Sequence, residues 1–192
     1  MQPGKPVTTA NNNLAPQDDY SKENFMEFLE LVRNRSSVRA YKSTPVEDDK
    51  LDLILEAARL APTGSNRQAF RLIVIHTAGR EEELKSIYNR DWFVQAPVLI
   101  CACAVSEEGQ PYRETGHYRN IGIVMDHLIL AAASLGLGSC WIGAYDAEAA
   151  RRILGLPEEI HPVVFATLGY ADGEPRPKVR KPIEELVRYE RW

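Results

Sequence analysis

The 192-residue sequence has few cysteines, no excess of positive charge and no long apolar run free of interruption. Three cysteines are an odd number and too few for a disulfide framework. Cys101 and Cys103 share an apolar run and Cys140 precedes Trp141; without further ligands they do not indicate zinc, and they read as reduced thiols packed in a core. A net charge of −4 supplies no field to gather a polyanion, so nucleic acid is not expected as a partner. The most apolar tract, Ile121 to Ala144, is interrupted by Asp126 and His127 and broken by Gly136 and Gly138, so no membrane span is expected. Residues 1–20 lack a charged segment followed by an apolar one; they are expected to be a flexible polar tail in a cytoplasmic protein. The four histidines share no spacing, and there is no Ser-His-Asp or Cys-His arrangement. No Gly-x-Gly-x-x-Gly follows a strand pattern, which disfavours a dinucleotide-binding Rossmann fold.

What is present is an ordinary globular composition, 44% hydrophobic and 26% charged, long enough for one domain over residues 21–192. Ser21 is placed to cap a helix running to about Asn34, with Phe25, Phe28, Leu29 and Val32 on one face. Thr44-Pro45-Val46-Glu47 reads as a capping box opening a second helix that ends near Ala61. Strands are expected at Phe70–His76, Val98–Val105 and His161–Gly169, and helices at Arg80–Tyr88 and from about Asn120 to Leu135. A short helix is capped by Asp146 and stopped by Gly155, and prolines 175, 177 and 182 keep the C-terminal part extended. Helices and strands interleave without doubly wound regularity, so the expected class is an α+β sandwich.

Four segments carry groups suited to binding chemistry, and each also has an ordinary structural reading. Arg35-Ser36-Ser37-Val38-Arg39 offers forked guanidinium donors and hydroxyls to an anion, or simply opposes a helix dipole. Ala61 to Gln68 is a turn-rich loop whose amides and Asn66 suit a heteroaromatic edge, or merely joins a helix to a strand. Gly136 to Ala144 holds glycines that admit a flat ligand and a Trp141 that lines it, or is a helix cap followed by a core strand. Lys178-Val179-Arg180 puts two cations on one face of an extended segment, or is a solvated tail.

Taken together and in this order, the four segments resemble the nitroreductase family of FMN-dependent oxidoreductases, from about Phe25 to the C-terminus. The resemblance implies a three-layer α/β/α sandwich in an intertwined homodimer with FMN at the subunit interface. It implies that Arg35 and Ser37, with Ser36 between them, hold the FMN phosphate and ribityl chain together with Lys178 and Arg180. Arg39 would stand near the pyrimidine edge of the ring, where negative charge collects on reduction, and would be the one catalytic group, acting electrostatically. Pro62, Thr63, Gly64 and Asn66 would come from the partner subunit, and Asn120 would be a polar contact. Ile142, Gly143 and Ala144 would offer backbone contacts on the N5 side, with Trp141 behind the ring. Ala69-Phe70 departs from a Pro-Trp pair common in the family. Ser106 to His117, including Tyr112 and Arg113 with Tyr118 beyond it, is the candidate substrate mouth.

The resemblance further implies a ping-pong cycle: hydride passes from NADH or NADPH to flavin N5, and then to an electron-poor acceptor such as a nitroaromatic or a quinone. Two other readings stay open, a specialised enzyme on the same scaffold and a flavin carrier or redox-sensing module without turnover.

Overall fold

The computed structural model describes residues 28–106 and 114–192. Ser21 and Phe25 of the expected first helix, and Tyr112 and Arg113, lie outside the described residues.

The fold is organised by one four-stranded sheet of β1 (Phe70–His76), β2 (Val98–Val105), β3 (Gly138–Ile142) and β4 (Ile160–Gly169), in spatial order β1-β2-β4-β3 with every pair antiparallel. The unbroken apolar run of β2 has a simple cause: both faces of the strand are covered. Val98, Ile100, Ala102 and Ala104 enter one core, while Leu99, Cys101 and Cys103 enter the other. Over the first face lie α2 (Asp48–Arg59) and α5 (Glu114–Ser134). Ile121, Val124, Met125, Leu128, Ile129 and Ala132 form the buried stripe of α5 at helical spacing. The opposite face is covered by α3 (Glu81–Lys85), α4 (Asp91–Gln95) and α6 (Ala147–Leu154), where Phe93 meets Phe165 edge-on at 5.8 Å. The expected three layers are therefore observed. No described helix is long and apolar enough to cross a membrane.

Several boundaries differ from expectation. Thr44 caps nothing: α2 begins at Asp48 with Glu47 at the cap position and no side-chain cap bond, and it ends at Arg59. Glu47 is instead engaged by the Tyr170 hydroxyl at 2.7 Å and by Lys50 at 3.2 Å, so its carboxylate is not free to complete a box. The helix expected over Arg80–Tyr88 is shorter, α3 ending at Lys85, α4 was not expected, and α5 starts at Glu114, earlier than Asn120. Among the described residues there are four strands, one more than the three named outright, because Gly138–Ile142 pairs with β4 and so takes the core-strand reading of its segment. In α1 (Phe28–Asn34) the expected apolar stripe does not face this chain's core: Leu31 is buried, whereas Phe28 and Leu29 are 63% and 62% exposed. The α6 expectation holds, since the Asp146 carboxylate accepts the Ala149 N–H at 2.8 Å and Gly155 ends the helix at φ 62°. The C-terminal part is extended apart from the single turn of α7 (Ile183–Leu186).

Candidate cofactor site

After α1 the chain runs beside β3. Ser37 bridges Ser139 in parallel, with the Val38 N–H donating to the Ser139 carbonyl at 2.9 Å, and Tyr41 bridges Ala171. Two glycines make this approach possible. Gly138 and Gly169 face each other across β3 and β4, and an added Cβ would stand 2.7 Å from Val38 Cγ2 at the first, and 2.6 Å from Pro97 Cδ and 3.0 Å from the Tyr41 ring at the second. The glycine expected to admit a flat ligand at position 138 thus admits Val38. Gly143, at the far end of β3, has open space where a side chain would be.

A cavity of about 430 Å³ opens beside this edge segment, within the ~300–1,000 Å³ usual for small-molecule sites. It is lined by Arg35, Ser36, Ser37 and Arg39 of the edge segment, by Gly136 and Ser139, and by Asp172, Glu174 and Arg176. Arg39 lies over the Trp92 ring, 5.7 Å from its centre, in a cation–π contact. Burial pushes the Cys140 thiol up, and Arg39, a hydrogen bond with Ser37, and Arg35 hold it down in part, which places all three around β3.

Lys178 and Arg180 do not line the cavity. The Lys178 ammonium donates to the Val32 carbonyl at 3.0 Å and to that of Arg33, so it caps the C-terminus of α1. It still belongs to the same positive cluster: desolvation, then Arg35 and Arg180, lower its pKa from the ordinary lysine value. Arg180 donates to the Val179 carbonyl at 2.8 Å. Among the described residues no carboxylate forms an ion pair with Arg35, Arg39, Lys178 or Arg180.

The remaining site residues lie elsewhere. Pro62, Thr63, Gly64 and Asn66 form a loop around a short 3₁₀ turn in which Ser65, Asn66 and Gln68 all have φ near 54°. Non-glycine residues at positive φ in such a cluster cost free energy that the surrounding contacts must offset. Asn120 joins this loop, its Oδ1 accepting the Gly64 N–H at 3.0 Å. Ala133 of the cavity wall sits on the same helix, so at 1.5 Å per residue the loop contact and the cavity are about 20 Å apart along α5. Ile142 is buried, Gly143 and Ala144 are exposed, and Trp141 is 40% exposed.

Comparison with known proteins decides the family. The family model described as nitroreductase family matches residues 32–90 and 80–170. The chain belongs to the nitroreductase family. A nitroreductase-family structure from Clostridium difficile 630 is 33% identical, with TM-score 0.77 over 87% of this chain and 100% of that one. A protein of Archaeoglobus fulgidus, named as a candidate NADH dehydrogenase/NAD(P)H nitroreductase, is 31% identical over 77% of this chain and 87% of its own length. The Bacillus subtilis FMN reductase [NAD(P)H] is 26% identical over 86% and 74%.

Within this nitroreductase-family chain, sequence reading missed Ser139, Asp172, Glu174 and Arg176 as cavity residues. A signal existed for three of them: Asp172-Gly173-Glu174-Pro175-Arg176 is a turn directly preceding the Lys178 pair. Ser139 lay within the Gly136 to Ala144 segment without being singled out, and its pairing with Ser37 is what brings it there. Trp92 lay in a helix too short for periodicity to reveal.

Proposed function

We propose that the protein is an FMN-dependent oxidoreductase that takes hydride from NADH or NADPH and delivers it to an electron-poor acceptor, a quinone or a nitroaromatic. We further propose that it works as a homodimer with each flavin held between subunits. The observation that carries the cofactor reading is the crowding of Arg35, Lys178 and Arg180, beside Arg39, without a carboxylate ion-paired to any of them among the described residues. A phosphate dianion fits such a cluster, and the cavity volume fits a cofactor. The names of the relatives, NAD(P)H nitroreductase and FMN reductase, support the same reading.

In this proposal Arg35, Ser36 and Ser37 bind the phosphate end and Arg180 adds long-range attraction, while Lys178 holds the end of α1 in place. Bound flavin supplies hydride exchange at N5. The chain's own contribution is position and charge. Arg39, stacked on Trp92, places a fixed cation at the ring edge, an effect typically worth a few kcal/mol in a preorganised site. Gly143 and Ala144 present exposed backbone where the ring would approach.

The separation along α5 supports the dimer reading. Pro62, Thr63, Gly64, Asn66 and Asn120 serve a site walled by Arg35–Arg39 only if a second copy brings them there. Exposed Phe28, Leu29, Ile183, Leu186, Tyr189 and Trp192 give that copy an apolar surface to cover. Steady-state oxidation of NADH and NADPH with a quinone acceptor and saturating FMN tests the activity. Turnover is expected; bound flavin without turnover would instead establish a carrier.

A further inference from the structure

Polar side chains are scarce in the interior. Among the described residues Thr77, Ser139 and Thr167 are the buried polar ones, to which the phenol of the buried Tyr41 is added. Thr77 closes on the Ala96 carbonyl at 2.7 Å, 19 residues away. Tyr41 and Thr167 join distant parts of the sequence: they are 126 residues apart, and their oxygens meet at 2.5 Å. The Tyr41 oxygen also lies 2.8 Å from the Val38 carbonyl, and Thr167 Oγ1 lies 3.1 Å from the Cys140 nitrogen.

The direction follows from the phenol having one proton, which the Val38 carbonyl takes at 2.8 Å, and from the Thr167 hydroxyl having its other acceptor, the Cys140 carbonyl, only at 3.5 Å; an amide N–H only donates and a carbonyl only accepts. Cys140 N–H therefore donates to Thr167, the Thr167 hydroxyl donates to Tyr41, and the Tyr41 hydroxyl donates to the Val38 carbonyl. Burial raises the Tyr41 pKa, so the phenol remains a donor at any working pH. The chain crosses β3, β4 and the edge segment and ends on the residue between Ser37 and Arg39. It orients the peptide that carries Arg39, while the Ser37–Ser139 bridge orients the one before it. Phenylalanine and valine would fill nearly the same space, so packing alone does not call for two hydroxyls.

We propose that Tyr41 and Thr167 are positioning residues whose linked hydroxyls set the geometry of the Arg35–Arg39 segment and thereby its preference for a phosphorylated flavin. The proposal rests on the FMN reading above. Neither residue touches the cofactor; both act through the segment they hold.

Riboflavin shares the ring and ribityl chain of FMN and lacks the phosphate, so the ratio of the two dissociation constants isolates the phosphate grip. Both are measured by quenching of flavin fluorescence with the full-length protein and with Tyr41→Phe, Thr167→Val, Thr167→Ser and the Phe/Val double variant. Tyr41→Phe and Thr167→Val are each expected to weaken FMN about tenfold and to leave riboflavin within about twofold. The double variant should be no worse than the poorer single one, since both break the same chain. Thr167→Ser keeps the hydroxyl and should restore the ratio. A merely structural role would lower the melting temperature and leave the ratio at its wild-type value, and that result overturns the proposal while the FMN reading stands. A wild-type protein with no preference for FMN over riboflavin would overturn the phosphate reading and the proposal with it. If Tyr41→Phe does not fold, the threonine pair decides alone.

Discussion

The separation of about 20 Å along α5 between the Asn120–Gly64 contact and the cavity makes a quantitative prediction for mixed dimers. Arg35→Ala removes a phosphate-binding guanidinium, and a charge-assisted hydrogen bond of this type is worth about 1.5–3 kcal/mol, a loss of roughly 10- to 150-fold in affinity. Asn66→Ala removes the loop amide and puts alanine at φ 54°. At FMN near the wild-type dissociation constant, such a loss leaves the Arg35→Ala homodimer about 1–20% of wild-type activity, and the Asn66→Ala homodimer should fall in the same range. The two variants are co-expressed with different affinity tags, and the heterodimer is isolated through both. If every site takes Arg35 from one copy and the 62–66 loop from the other, one of its two sites is intact and the other carries both defects. NAD(P)H oxidation by the heterodimer should then recover to about half the wild-type rate. If each site lies within one chain, every subunit keeps a defect and the heterodimer is no more active than its parents. That outcome would refute the shared site.

Three further predictions follow from the same geometry. Gly138→Ala puts a Cβ against Val38 and must push the cationic segment away from β3, so FMN binding should fall at least about tenfold, with a partial return in the Gly138→Ala/Val38→Ala double variant. Asp146→Ala loses the cap on Ala149 and should destabilise the fold by about 1 kcal/mol in urea unfolding while leaving FMN affinity unchanged. The third concerns Lys178, whose pKa is lowered in the folded protein. The unfolded chain binds more protons than the folded one over the window from that lowered value up to about the ordinary 10.5, so stability without cofactor should rise with pH across it. A bound phosphate favours the ammonium and reverses the shift, so FMN binding in that window should take up protons, seen as a calorimetric enthalpy that changes with the ionisation enthalpy of the buffer.

Much of the fold was legible because its signals are local. Asp146 and Gly155 bracket α6 by cap chemistry, and β2 declares itself as an apolar run buried on both faces. The failures share one cause, a partner distant in sequence. Thr44–Glu47 has the letters of a capping box, but Glu47 is held by Tyr170, 123 residues away. Gly138-Ser139-Cys140 has little strand propensity of its own and becomes β3 by pairing with β4. Phe93 and Val94 anchor α4, which at five residues shows no period. The site divides in the same way. The arginines and serines of the 35–39 segment stood out by residue type, and all four line the cavity. That Lys178 serves the carbonyls of α1, and that Asn120 belongs with Gly64, depends on contacts that no spacing encodes.

The cofactor reading is tested most directly by the absorbance spectrum of the purified protein, after incubation with FMN and removal of the excess, before and after anaerobic addition of NADH or NADPH. The account predicts flavin bands that stay with the protein and bleach with at least one of the two nucleotides. A protein that takes up no FMN would contradict it, returning the 35–39 arginines and the Lys178–Arg180 pair to solvated charges at a helix end.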